Sequence, residues 1–172
     1  MIVENGTGLI NADSYVSIEF ADNYFSARGV SGWVALTQNV KEQSLIRATD
    51  FIDNIYQWCG KKATSEQSLR FPRINIVDYE GQPVEGVPTC LKKAVCEAAQ
   101  ITSNGTELFQ TKNENGDVIS ETITTLSFTY AKSDKSESTT QTTLYDSINT
   151  LLRGLFKEPS SNKVVSGKVA RV

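Results

Sequence analysis

The residues able to do chemistry are few, and one type is missing. The 172 residues include no His. That removes a His-based triad, an imidazole general base and every His metal ligand. Three cysteines, Cys59, Cys90 and Cys96, are odd in number and show no CxxC spacing. Neither a disulfide framework nor a zinc site is expected of them, and they suit a reducing cytosol. Cys59 and Cys96 fall in apolar helical patterns and read as buried structural residues. Gly6-Thr7-Gly8 resembles the start of a phosphate loop but lacks the following Gly-Lys-Ser/Thr and a preceding apolar strand, so it reads as a turn. Asp50 and Asp53 stand three apart on a helical pattern, where an acidic solvent face is the simpler reading than a paired-carboxylate site. Asn5-Gly6-Thr7 and Asn104-Gly105-Thr106 match a glycosylation sequon, but the N-terminal residues carry no secretion signal. No nucleophile with a partner base and no metal cluster can be assembled. The expectation is a protein that is not an enzyme and needs no metal or cofactor.

Nucleic-acid contact is the next chemistry to weigh. Phe128 and Tyr130 alternate on one strand-like face, with Lys132 and Lys135 nearby. Aromatics on a basic surface can stack the bases of a single strand. The surrounding run is nearly neutral, however, and 12 of the 22 residues from 122 to 143 are Ser or Thr. Packing of those rings against the helices is the simpler reading. The chain holds 17 Lys and Arg against 20 Asp and Glu, a net charge of −3. Residues 153–172 carry Arg153, Lys157, Lys163, Lys168 and Arg171 against Glu158 alone, while residues 1–152 are acidic. An acidic body does not coat nucleic acid by charge. The basic tail should meet different surroundings, or be a solvated segment with a chance excess of Lys.

The elements that must position these residues are mainly helical. Ser17 is a candidate N-cap, with Ile18, Ala21, Tyr24 and Phe25 at helical spacing and Gly29 as the stop. Gly32-Trp33 lies in a short connection. Over 38–59, Val40, Leu45, Ala48, Ile52, Ile55 and Cys59 trace one side of a helix, widened by Phe51 and Trp58. Residues 61–86 read as irregular, with Arg70-Phe71-Pro72-Arg73 placing an aromatic before proline. A helix over 88–103 opens at Pro88 and buries Leu91, Ala94, Val95, Ala98 and Ile101. Residues 104–131 read as short strands, with a hairpin signal at Asn115-Gly116. Ala131–Thr143 reads as a linker. A last helix over 144–157 buries Leu144, Ile148, Leu151, Leu152, Leu155 and Phe156, and Pro159 ends it. No run of 18 apolar residues suggests a membrane span. The fold class expected is mainly α: a small helical bundle over 1–157, a β extension at about 104–131, and a flexible C-terminal tail over 158–172.

This order of motifs resembles the head–tail connector, or adaptor, proteins of tailed phages, including members labelled "DnaT-like single-stranded DNA-binding protein". The residues that carry the resemblance are Val3-Glu4-Asn5-Gly6-Thr7-Gly8, Asn11-Ala12-Asp13-Ser14-Tyr15-Val16-Ser17, Ala27-Arg28-Gly29 and Trp33. They continue with Leu45-Ile46-Arg47-Ala48-Thr49-Asp50-Phe51-Ile52-Asp53, Arg70-Phe71-Pro72-Arg73, Val87-Pro88, Tyr130-Ala131 and Leu151-Leu152. The likeness spans most of residues 3–156 and is loose over 104–125.

What the resemblance implies is a virion structural protein at the head–tail junction, in the host cytoplasm during assembly. It would form a ring, typically of twelve subunits, between the portal protein and a tail or head-completion protein. DNA would pass through the channel without specific binding. Arg70, Phe71, Arg73, Phe109, Phe128 and Tyr130 are then candidates for the subunit interface. Phe71 would anchor its loop, and the two arginines would pair with carboxylates or stay solvated. Lys163, Val164, Val165, Lys168, Val169 and Arg171 are candidates for docking on the portal, the valines as an added strand. The alternative for the tail cations is contact with DNA phosphates. The alternative for the whole chain is a single-stranded DNA-binding replication accessory.

Overall fold

The computed structural model describes residues 1–106, Leu108 and 146–157. Of the β extension expected over 104–131, only residues 104–106 and Leu108 are described, 104–105 as a turn after the helix; the rest of it, the linker over 131–143, the first two residues of the helix expected over 144–157 and the tail over 158–172 lie outside the described residues. The described chain is mainly α. In order it runs α1 (Ile18–Ser26), α2 (Ser31–Val34), α3 (Gln38–Ile55), β1 (Lys61–Lys62), β2 (Arg73–Ile74), α4 (Thr89–Ser103) and α5 (Asp146–Leu152).

The Ser17 hydroxyl accepts the Phe20 N–H at 3.2 Å and caps α1. The expected connection at Gly32-Trp33 is instead the short α2, which buries Trp33 against Phe25 with ring centroids 4.6 Å apart. The Trp33 indole N–H donates to Asp22 Oδ1, which also receives Lys41 Nζ at 2.9 Å. A buried ring and a nearly buried ammonium thus share one carboxylate and fix α1 against the start of α3.

Helix α4 is the centre of the bundle and packs against both α3 and α5. Its inward residues, Leu91, Ala94, Val95, Cys96, Ala98 and Ala99, are all buried. The three alanines let neighbouring helices approach, while Leu45, Phe51 and Ile52 of α3 and Ile148 and Leu152 of α5 fill the remaining space. Burial of each Leu or Phe contributes roughly 1.5–3 kcal/mol.

Two helices stop earlier than their apolar stripes suggest. Helix α3 ends at Ile55, and Tyr56 turns extended. Beyond it the chain pairs with the segment after α5. Cys59 N–H donates to Leu155 O at 2.9 Å, and Lys157 N–H to Gln57 O at 2.7 Å. Trp58 and Phe156 form an antiparallel bridge. Helical residues here would lose those bonds, so Trp58 reaches the core from an extended segment. Helix α5 ends at Leu152 because Gly154 takes φ +85° and a Cβ there would sit 2.6 Å from the Tyr79 nitrogen. Between β1 and β2 the chain is a compact loop, with the two strands antiparallel and Lys61 opposite Ile74. No helix among the described residues is long and apolar enough to cross a membrane.

Candidate functional site

The Arg70–Arg73 segment is held from three sides. Phe71 is fully buried, edge-on to Trp58 at 4.9 Å and to Tyr15 at 6.3 Å. The peptide bond between Phe71 and Pro72 is cis. Phe71 N–H donates to the Tyr15 hydroxyl at 3.0 Å, and that hydroxyl donates to Asp53 Oδ1 at 2.7 Å. Asp53 Oδ2 accepts the Arg70 N–H at 2.9 Å. Burial pushes the Asp53 carboxyl up to about 6, outweighing the lowering by these bonds and by Arg70 and Lys62. Burial and the neighbouring Asp53 push the Tyr15 phenol far above its ordinary range.

The two arginines differ. Arg73 donates from Nε to Cys59 O, from Nη1 to Arg70 O and from Nη2 to Gly60 O, at 2.6, 3.1 and 2.9 Å. It ties the loop together, and burial lowers its pKa. Arg70 is exposed, and its guanidinium has no acceptor among the described residues. Both line a cavity of about 310 Å³, together with Asp53, Asn54, Tyr56, Gln57 and Trp58. The buried Trp58 indole N–H finds no acceptor among the described residues. Such an unmet donor costs about 1–3 kcal/mol.

Basic residues concentrate in two segments of the fold. Residues 56–79 and the paired segment 153–157 hold six basic side chains, Lys61, Lys62, Arg70, Arg73, Arg153 and Lys157, against Glu66 and Asp78, with Asp53 of the cavity lining and Glu80 beside Tyr79 just outside these bounds. The rest of the described chain holds five basic and eleven acidic side chains. Tyr79 is 65% exposed, with the Arg153 guanidinium 4.9 Å from its ring centroid. Two segments joined by backbone pairing thus carry most of the described basic side chains and an open aromatic ring, on an otherwise acidic chain.

Residues 1–172 match a family model described as "Putative DnaT-like ssDNA binding protein". The chain belongs to that family. No curated protein and no solved structure matches it. The DnaT-like match covers the whole chain and bears a single-stranded DNA description, with no mention of a head–tail connector.

In this DnaT-like protein, of the six residues expected at a subunit interface, Phe71 lies in the chain's own core. Arg73 is committed to three backbone carbonyls, and of the three described residues Arg70 alone is open to a partner. Phe109, Phe128 and Tyr130 lie outside the described residues. So do Lys163, Val164, Val165, Lys168, Val169 and Arg171. The carboxylates of α3 separate: Asp50 is exposed and Asp53 half-buried beneath the loop. Cys59, expected on a helix, sits in the extended segment after α3; all three cysteines are free, and burial raises the Cys96 thiol to about 12. Among the described residues no group of His, Cys, Asp and Glu could hold a metal ion.

Gly6-Thr7-Gly8 does cradle an anion, but an internal one. Glu4 is 2% exposed; its Oε1 accepts the N–H groups of Gly6 and Gly8 at 2.8 and 2.9 Å, and its Oε2 that of Leu9 at 2.8 Å. Glu4, Tyr15, Tyr79 and Arg153 escaped the sequence reading of the site. The signal for Glu4 was a carboxylate just before two closely spaced glycines.

Proposed function

We propose that the chain is a non-enzymatic single-stranded DNA-binding protein, and that DNA lies on the basic face formed by residues 56–79 and 153–157. The observation that carries this reading is the segregation of charge around an exposed Tyr79–Arg153 stack. Cations such as Lys61, Arg153 and Lys157 supply phosphate contacts that depend on salt, not sequence. An open ring with a guanidinium on one side supplies a base-stacking platform. The net acidity that argued against DNA binding is an average over two unlike faces. The family description supports the same reading.

The test is fluorescence anisotropy with a labelled oligothymidylate at low and moderate salt. Wild type should bind, and the double variant Lys61→Glu, Lys157→Glu should lose about tenfold or more in affinity. Tyr79→Ala should lose several-fold at unchanged charge, roughly the 1–3 kcal/mol of one stacked base. Absence of binding by the wild-type protein at low salt would overturn the reading.

A second reading, a ring-forming adaptor between portal and tail, is favoured by one feature. Ile74, Val77 and Tyr79 are 49%, 51% and 65% exposed within six residues. Such an apolar strip suits a second copy of the chain. Mass measurement of the protein alone and with portal separates the readings: a ring that ignores oligothymidylate supports the adaptor, and a DNA-binding monomer that ignores portal supports the first.

A further inference from the structure

The cavity beside the Arg70–Arg73 turn carries more than general attraction to a DNA backbone requires. Neither of its guanidiniums is in an ion pair; the two pairs among the described residues are Met1–Glu42 and Lys41–Asp22. Arg73 donates to carbonyl oxygens, which fix it in place without cancelling its charge. Arg70 is open to solvent. Asp53 is the single carboxylate of the lining, and both its oxygens are already engaged by the Tyr15 hydroxyl and the Arg70 N–H. Trp58, also in the lining, has a buried N–H without an acceptor among the described residues. Asn54 and Gln57 place two exposed amides at the rim.

We propose that this cavity is a subsite for a phosphate monoester carrying a nucleobase, namely the phosphorylated end of a DNA strand or a free nucleoside monophosphate. In its strand-end form the proposal rests on the single-strand reading above. A monoester carries close to two negative charges at neutral pH, whereas an internal diester carries one. Two guanidiniums outnumber the one carboxylate, Asp53, in this concave site and so favour the more highly charged monoester, and arginine's planar fork suits phosphate oxygens. The Gln57 amide offers a donor and an acceptor to a base edge, while that of Asn54, which already donates to Asp50 O at 2.8 Å, keeps its oxygen and one N–H. A volume of about 310 Å³ is at the small end of ligand sites, enough for one nucleotide and too little for a run of them.

The experiment compares oligothymidylates that differ only in a phosphate or hydroxyl at the 5′ end, and a second pair that differs at the 3′ end. Thymidine monophosphate and inorganic phosphate are titrated separately against tryptophan fluorescence. One phosphorylated end should raise affinity about tenfold over its hydroxyl twin. Arg70→Ala should bring that ratio to about one, whatever it does to overall affinity, and Arg70→Lys should restore part of it. Trp58→Phe, which keeps a ring on Phe71 and removes the donor, should lower the ratio several-fold. Binding of the mononucleotide with no effect of end phosphates assigns the site to free nucleotides. Mononucleotide binding without any strand binding keeps the subsite and sinks the single-strand reading. Equal binding of all strands with no mononucleotide binding overturns the subsite and leaves the single-strand reading intact. Inorganic phosphate binding as tightly as the mononucleotide overturns the nucleobase part.

Discussion

Asp53 ties three separated stretches of chain together: the Tyr15 segment, α3 and the Arg70–Phe71 loop. Its carboxyl sits at about 6, above the ordinary 3.8, because burial outweighs the hydrogen bonds and the facing cations Arg70, Lys62 and Arg73. The folded state therefore holds this proton more tightly than the unfolded chain. The stability it contributes is fully present below about pH 4 and is lost as pH rises through about 6, on the order of 2–3 kcal/mol. Asp53→Asn should remove that slope, read as the difference between wild-type and variant urea midpoints from pH 4 to pH 7. Parallel curves would assign the slope to another group. Glu4 makes a second residue-scale case. Glu4→Ala would leave the N–H groups of Gly6, Gly8 and Leu9 without their acceptor and should cost about 3 kcal/mol in chemical denaturation. Sequence spacing alone showed the glycine turn but not the carboxylate inside it, because the bond runs from a side chain back to the next few amides. Likewise, Asp50 and Asp53 look equivalent by spacing, and only the loop folded over Asp53 tells them apart.

At the scale of elements, α3 and α4 were readable because their apolar residues recur at helical spacing over four or more turns. The observed Gln38–Ile55 and Thr89–Ser103 lie close to the expected 38–59 and 88–103. The errors fall where a stripe outlasts its helix. Trp58, Cys59, Leu155 and Phe156 keep their apolar environment after the helix has ended, and side-chain pattern cannot register that change. Gly154 marks the point on the α5 side. Gly154→Ala would combine a positive φ with a Cβ pressed against the Tyr79 backbone, and should destabilise the protein by about 1–3 kcal/mol in thermal or urea unfolding. An unchanged midpoint would mean that the α5 end and the Tyr79 loop do not need this close approach. Phe51→Asp or Leu152→Asp, each burying a charge at the α4 interface, should give insoluble protein. Folded, soluble variants would refute the assignment of α3, α4 and α5 as the core.

For the whole molecule, net charge is a poor guide because the charges are unevenly placed. A value of −3 hides six cations against two carboxylates in residues 56–79 and 153–157, segments joined by backbone pairing between residues 57–59 and 155–157. The sequence showed only the basic C-terminal part of that set. Lys61, Lys62, Arg70 and Arg73 join Arg153 and Lys157 through folding, from a loop 80 to 96 positions earlier in the chain. Polarity of this kind makes a quantitative prediction about salt. If the face neutralises about four phosphates, the logarithm of the association constant for single-stranded DNA should fall against the logarithm of salt with a slope of about −3. Removing two contacts with Lys61→Glu and Lys157→Glu should make that slope shallower by about 1.4. Reversing two carboxylates outside those segments, Glu19→Lys in α1 and Glu42→Lys in α3, should leave the slope near its wild-type value, because no phosphate contact is added. Anisotropy titrations over a range of salt concentrations measure all three slopes. Equal shifts from the basic-face and acidic-face variants would mean that DNA responds to net charge alone and that the basic face is not where it binds.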